Sequence, residues 1–313
     1  LLAPLGQQVR TRHFQFNVVT HRVVTSMVDI EWVQIAPDKV VVATAKRAWL
    51  HQLDPAESDN RFAQPMVGTG SVATTQKLLD GFIAFARTSV SSKGKLPSLN
   101  RWRWLWRLAS SYHLCHPTPR LMEQARERFA ASGRKSLAQW AAQKAREERN
   151  HDQIALLDIE SMGYKALAVV EALVPPAAVA LIDYFTRSAQ ATDPIDCVGY
   201  SYTMERLALR IGEKYIQSVE TKLPPGMQAT RCLRVHSGVG SDVEHVKETV
   251  QMVADLAPHE RTRVAIACYE TALLCFSPPN EGYISDEELQ NVLKPLESHT
   301  QIRVRSDFQQ VLK

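Results

Sequence analysis

From about residue 71 onward the chain repeats one pattern, in which apolar side chains recur at three- and four-residue spacings and prolines fall where the pattern lapses. Leu78, Phe82, Ile83 and Phe85 show it in 71–91, and segments near 119–132, 136–164, 176–189, 198–219, 242–257, 260–276 and 285–295 behave likewise. Such spacing lines one face of an α-helix with apolar groups, and that face must be buried against another element. Pro119, Pro175, Pro176, Pro224, Pro225, Pro258, Pro278 and Pro279 fall between the segments, where a residue lacking a backbone N–H starts or stops a helix. The pattern predicts about eight helices packed as a bundle, without an internal repeat of fixed period.

Residues 13–45 have a different texture. Val18, Val19, Val23, Val24, Val28, Ile30, Val33, Ile35 and the run Val40 to Val42 are β-branched, and Ala36-Pro-Asp-Lys39 sits between two such runs like a turn. A β-hairpin is expected there. The stretch 55–70 is polar and rich in Asp, Pro and Gly, so it reads as a linker. The chain divides into an N-terminal segment with a hairpin and linker, 1–70, and a helical bundle, 71–313.

Composition narrows the function classes. In 313 residues, 37 Lys plus Arg against 33 Asp plus Glu leave a net charge of +4, with 45% apolar and 22% charged residues. These values fit a globular protein and argue against disorder or a polybasic tail. The run Arg101-Trp-Arg-Trp-Leu-Trp-Arg107 interleaves bases and aromatics as nucleic-acid and membrane-interface binders do. On a helix, Trp102 and Trp106 would instead share one buried face with arginines flanking it, and the small net charge favours that packing role over nucleic-acid binding. Cys115, Cys197, Cys232, Cys268 and Cys275 are scattered without a C-x-x-C pair, which argues against a disulfide framework or a cysteine-rich zinc site. The most apolar stretch, 166–182, is interrupted by Glu171 and Pro175-Pro176, so no membrane span is expected. The first residues, LLAPLGQQVR, lack a long apolar region and an initial Met, which points to a trimmed or missing segment more than to a signal peptide. A cytoplasmic location is the default.

Four places carry candidate chemistry. Glu148 and His151 are three apart, a spacing that brings a carboxylate and an imidazole to one side of a helix. Hard oxygen plus imidazole suits iron or manganese, although a solvated charged face explains most such tetrapeptides. Asp242 and His245 repeat the geometry on a second expected helix, with His236 upstream; Asp242 also fits a helix cap, and His245 an exposed helix position. Glu205 lies among Val198, Tyr202, Met204, Leu207 and Leu209, where a buried carboxylate needs either a metal ion or an ion pair with Arg206 or Arg210. Asp158, seven residues after His151, could fix a ligand imidazole or lie on a charged surface, and Asp152 has the same two readings.

The order E-E-R-N-H-D-Q-I-A-L-L-D-I-E-S-M-G, then G-Y-S-Y-T-M-E-R, then H-S-G-V-G-S-D-V-E-H resembles the haem-oxygenase-like diiron oxidase and oxygenase family, which shares its helical bundle with thiaminase II and pyrroloquinoline-quinone synthase. The resemblance spans roughly 105–280 and implies a mainly α, haem-oxygenase-like helical bundle with a small β-containing N-terminal segment. It implies a metal set of Glu148, His151, Glu205, His236, Asp242 and His245, with Glu148, Glu205 and Asp242 as the catalytic carboxylates. Two Fe(II) ions and dioxygen as co-substrate follow from it. One departure stands out: the family spaces the histidine and aspartate of its last motif four apart, whereas His236 and Asp242 are six apart with Gly238 and Gly240 between them. A broken helix or π-bulge at these glycines would turn His236 inward.

The function implied is oxidation of a small organic molecule by N-oxygenation, desaturation or carbon–carbon cleavage, with an external electron donor as a candidate partner and a homodimer as the default assembly. Two alternatives stay open. A metal-free oxidase or hydrolase of the same superfamily would give Cys197 or Cys232 a nucleophilic role. A non-catalytic helical binding module would use the hairpin as a docking element.

Overall fold

The computed structural model describes residues 29–54, 56, 61–68, 70–90, 98–238, 242–277 and 284–298, without the side chains of Asp242 and Val243. The part of the expected hairpin at 13–28 lies outside the described residues. Strands β1 (Ile30–Ala36), β2 (Lys39–Thr44) and β3 (Ala48–Gln52) form an antiparallel meander in that order. The Ala36–Lys39 turn joins the first two as predicted, with Ala36 paired to Lys39. Because side chains alternate across a strand, Val33, Val41 and Ala43 enter the main core while Val40 and Val42 pack with Trp32, Trp49 and Phe62 on the other face.

The helices that follow are α1 (Val72–Ser89), α2 (Arg101–Cys115), α3 (Thr118–Ala131), α4 (Lys135–Glu147), α5 (His151–Ser161), α6 (Ala166–Ala172) and α7 (Pro176–Gln190). They continue as α8 (Asp196–Ala208), α9 (Glu213–Glu220), α10 (Arg231–Val235), α11 (Asp242–Ala254), α12 (Pro258–Phe276) and α13 (Asp286–Leu293). The number exceeds the expected eight partly because two segments that read as continuous are broken. Segment 136–164 divides into α4 and α5 at 148–150, where Asn150 adopts a left-handed φ of 67°, a conformation that asparagine tolerates better than most residues. Segment 198–219 divides into α8 and α9 at 209–212. Helix starts follow the expected chemistry: Ser71 accepts the Thr74 N–H, Asn100 accepts the Arg103 N–H, Pro119 is the second residue of α3, and Pro176 and Pro258 are the first residues of α7 and α12.

The Trp-Arg run packs as expected in kind but not in detail. Trp104 is the buried tryptophan and donates its indole N–H to Ala229 O at 2.7 Å, while Trp102 and Trp106 are half-buried beside it. Arg103 is buried too, tying α2 to α13 through Asp286 Oδ1 at 2.6 Å and Ile284 O at 2.6 Å.

Beside the small cluster on the outer face of the sheet, two larger apolar cores result. One gathers the sheet with α1, α3, α4, α7, α8, α11, α12 and Leu114 at the end of α2; the other gathers the rest of α2 with α5, α6, α9 and α13. Helix α8 is buried on nearly every side and crosses α12 closely at Gly199, where a Cβ would meet Val264 O at 2.4 Å. Among the described residues no single helix is long and apolar enough to cross a membrane; the stretch 166–182 is bent by 83° between α6 and α7.

Candidate metal centre

Where the two larger cores meet, most of the length of α2, the start of α3, the α4–α5 turn, α8 and α10 line a largely apolar pocket. Glu148 caps the C-terminus of α4, and His151 is the first residue of α5. The two are therefore not on one regular helix. The left-handed Asn150 between them reverses the chain tightly enough for His151 Nδ1 to lie 3.0 Å from Glu148 Oε2. A carboxylate only accepts, so Nδ1 is the donor and the imidazole is oriented. Burial alone would push the Glu148 carboxyl up, but the His151 hydrogen bond and the nearby His236, His151 and Lys144 charges outweigh it and hold it down at about 2.

Helix α10 ends at Val235, and His236 is its C-cap, so the chain is broken where the glycine-containing motif predicted. The Gly238 N–H then bonds Ile211 O at 3.0 Å, and its α-carbon lies so close that a Cβ would meet Leu209 O at 2.7 Å. Only glycine fits this approach without displacement. Gly240 lies outside the described residues. The His236 ring stands edge-on to His151 with centroids 4.7 Å apart. Burial lowers its pKa, which favours the neutral, ligating imidazole.

Cys115, the last residue of α2, completes the cluster. Its Sγ lies 3.7 Å from His236 Nε2, and ligand atoms of Cys115, Glu148 and His236 all lie within 4.8 Å of one another. A hydrogen bond with Cys232, together with burial, pushes the Cys115 thiol well above its ordinary range. Thiolate, carboxylate and imidazole are together suited to a divalent transition metal, whose charge would deprotonate the thiol. The donor set fits one such ion.

Glu205, another residue of the expected set, lines the same pocket but is held by a protein cation. Glu205 is buried on α8, and its Oε1 lies 2.8 Å from Lys144 Nζ; the same ammonium is 3.1 Å from Glu147 Oε2. Its counter-charge comes from α4, not from the expected Arg206 or Arg210. Arg206 pairs instead with Asp80 on α1, at 2.7 Å and 2.8 Å. Burial would push the Lys144 ammonium down, yet Glu205 and Glu147 hold it above the usual lysine value. His245 Nε2 lies 3.3 Å from Glu147 Oε1, and burial lowers its pKa. Asp242 begins α11, a turn before His245; its side chain lies outside the described residues.

Asp158 serves neither expected role. It is fully buried and accepts the N–H groups of Arg231 and Cys232 at 3.2 and 2.9 Å, plus the Arg231 guanidinium at 3.1 Å. It thus anchors the start of α10, the helix that delivers Cys232 and His236 to the pocket. Asp152 pairs with His116 at 2.8 Å on the protein surface. Of the two candidate nucleophilic cysteines, Cys232 lines the pocket, whereas Cys197 is buried outside it with its thiol pushed far up by desolvation.

Motif order and spacing did not single out Cys115 or Lys144, yet both carry a helical signature. Trp104, Leu108, Ser111 and Cys115 recur at four- and three-residue spacings and all line the pocket. Lys144 continues the buried stripe Leu137, Trp140, Ala141 on α4, where a lysine is out of place unless paired.

No family model and no curated protein matches the sequence. Solved structures are similar, among them the following two. A domain of unknown function with a heme oxygenase-like fold from Shewanella denitrificans is 20% identical, with a TM-score of 0.49 over 72% of this chain and 89% of that one. A TenA homolog from Pseudomonas syringae pv. tomato is 12% identical, with a TM-score of 0.51 over 68% of this chain and 96% of that one. The second similarity takes in nearly the whole of the neighbour, and the helical arrangement is shared at an identity that speaks for the fold alone. The chain has a haem-oxygenase-like fold, mainly α, with a small three-stranded sheet at its N-terminal side.

Proposed function

We propose that this chain is a metal-dependent oxidase or oxygenase that oxidises a small, largely apolar organic molecule carrying an anionic group. The observation that supports the reading is the convergence of Glu148, His236 and Cys115, with His151 bonded to Glu148, on the wall of an apolar pocket. Iron(II) bound to these residues would supply dioxygen activation. Glu148, ionised down to low pH, gives a hard anionic donor, and neutral His236 offers an imidazole lone pair. The His151 hydrogen bond holds the Glu148 carboxylate in one orientation, as outer partners of metal ligands do. Trp104, Leu108, Met204 and Leu233 form apolar walls that exclude water from the reacting bond. Arg107, whose Nη1 donates to Tyr215 Oη at 2.5 Å, is the arginine among the described lining groups and suits a substrate carboxylate.

Anaerobic Fe(II) titration with metal analysis, followed by exposure to dioxygen, tests the reading. Wild-type protein retains iron and consumes dioxygen, and Glu148→Gln and His236→Ala each weaken iron binding at least about tenfold. Retention of no iron by the wild type removes it.

The Cys115–His236 contact at 3.7 Å favours a second reading, a hydrolase with a cysteine nucleophile and a histidine base. That reading expects Cys115→Ser to abolish turnover in metal-free protein and expects a covalent adduct on Cys115, detectable by mass spectrometry. Turnover that depends on iron excludes it.

A further inference from the structure

We infer that Lys144 is a built-in cation standing where a second metal ion would otherwise lie, so that the site holds a single ion on its Glu148–His236–Cys115 side. The inference rests on the metal reading proposed above and departs from the two-ion set implied by the sequence resemblance.

The Lys144 side chain is only 3% exposed and Glu205 only 8%, so neither charge is dispersed into solvent. Lysine on a surface helix extends its ammonium to water; this one turns inward along the buried stripe of α4. Its Nζ lies within 3.1 Å of oxygens from both Glu205 and Glu147. The second Glu147 oxygen faces His245 Nε2 at 3.3 Å. Glu205 and Glu147 thus both face cationic or hydrogen-bonding side chains of the protein itself.

A divalent ion on the Lys144-bound oxygen of Glu205 would sit within about 5 Å of the ammonium, given ordinary metal–oxygen distances of roughly 2.1 Å. At that range, in a partly desolvated site, like charges repel strongly. The Lys144 charge also acts on Glu148, but its hydrogen bonds go to Glu205 and Glu147, while the ligand atoms of Cys115, Glu148 and His236 lie within 4.8 Å of one another. One half of the site therefore accepts an ion, and the other already contains a positive charge fixed by the fold.

Metal analysis after anaerobic Fe(II) loading and desalting tests this on wild type, Lys144→Met and Glu205→Gln. Wild type is expected to hold one iron per chain, and Glu205→Gln to keep it. Lys144→Met, which strips the charge from between two carboxylates, is expected to hold two. Two irons in the wild type, or loss of iron in Glu205→Gln, overturns the inference. Should Lys144→Met fail to fold, a Lys144→Gln variant carries the same expectation. Metal-free unfolding supplies a readout that does not depend on iron. Glu205→Gln should lower the melting temperature when Lys144 is present and leave it equal or higher in the Lys144→Met or Lys144→Gln background; independent, additive effects overturn the pairing. No iron in any of the proteins defeats the proposed function and the one-ion clause together, while the mutant cycle still decides whether Lys144 is the counter-charge of Glu205.

Discussion

Asp158 illustrates what a single side chain decides. Desolvation raises its pKa to about 6, against the pull of the Cys232 N–H and the Arg231 groups toward ionisation. Because the unfolded carboxyl titrates near about 3.9, the native state holds a proton between about pH 4 and 6 that the unfolded chain has already lost. Stability therefore falls as pH rises through that window and is flat with respect to this group above it. The expected size is up to about 3 kcal/mol, since each tenfold difference in proton affinity between the folded and unfolded chain is worth roughly 1.4 kcal/mol. Urea unfolding across pH 4 to 7 should show this slope in the wild type and lose it in Asp158→Asn; an unchanged slope would refute the assignment. In the sequence Asp158 offered only its spacing from His151, and spacing along one helix carries no information about a backbone 73 residues further on.

At the scale of elements, a buried ion pair ties the sheet to the bundle. Glu31 on β1 and Arg261 on α12 are each 1% exposed, with Glu31 Oε1 2.8 Å from Arg261 Nε. Burial raises the Glu31 pKa, and the Arg261 charge opposes the rise. Removing one partner leaves an uncompensated buried charge, so Arg261→Ala should cost about 3–5 kcal/mol, while Glu31→Leu combined with Arg261→Met should recover most of the loss. Denaturant unfolding of the single and double variants measures both. The loop after α10 gives a second expectation: Gly238→Ala pushes against Leu209 O and shifts His236, so iron affinity should fall by about tenfold or more. Titration of that variant beside its unfolding curve separates displacement of a ligand from general destabilisation. Helices were legible because their apolar period is a local property; the breaks at 148–150 and 209–212 were not, since the residues on either side keep helical spacing.

On the scale of the whole molecule, the pocket exists because two apolar cores share a boundary along α2 and α8. Leu114 on α2 belongs to the first core and Trp104 and Leu108 to the second, so one helix lines the pocket while anchoring both sides. Arg107 lies on the same helix. Arg107→Ala should raise KM for an anionic substrate by about tenfold or more and change that for its neutral amide analogue much less, as expected from losing a charge-assisted contact. Steady-state kinetics with the two compounds, once a substrate is in hand, tests this; equal effects on both would leave Arg107 a structural role through Tyr215.

The sequence by itself determined the helical bundle and the hairpin turn at Ala36–Lys39, because periodicity and turn chemistry are written in nearby residues, whereas the grouping of Glu148 and His151 with the distant His236 was an expectation of the family resemblance alone. Only the tertiary structure decided which charges meet. Lys144 reaches Glu205 across 61 positions, and Cys115 reaches His236 across 121, and no local pattern encodes such pairings. Desolvation is the physical reason they matter. Once α4 and α8 pack together, a buried carboxylate must find a cation, and the fold supplies a lysine where the resemblance implied a metal and the local sequence an arginine.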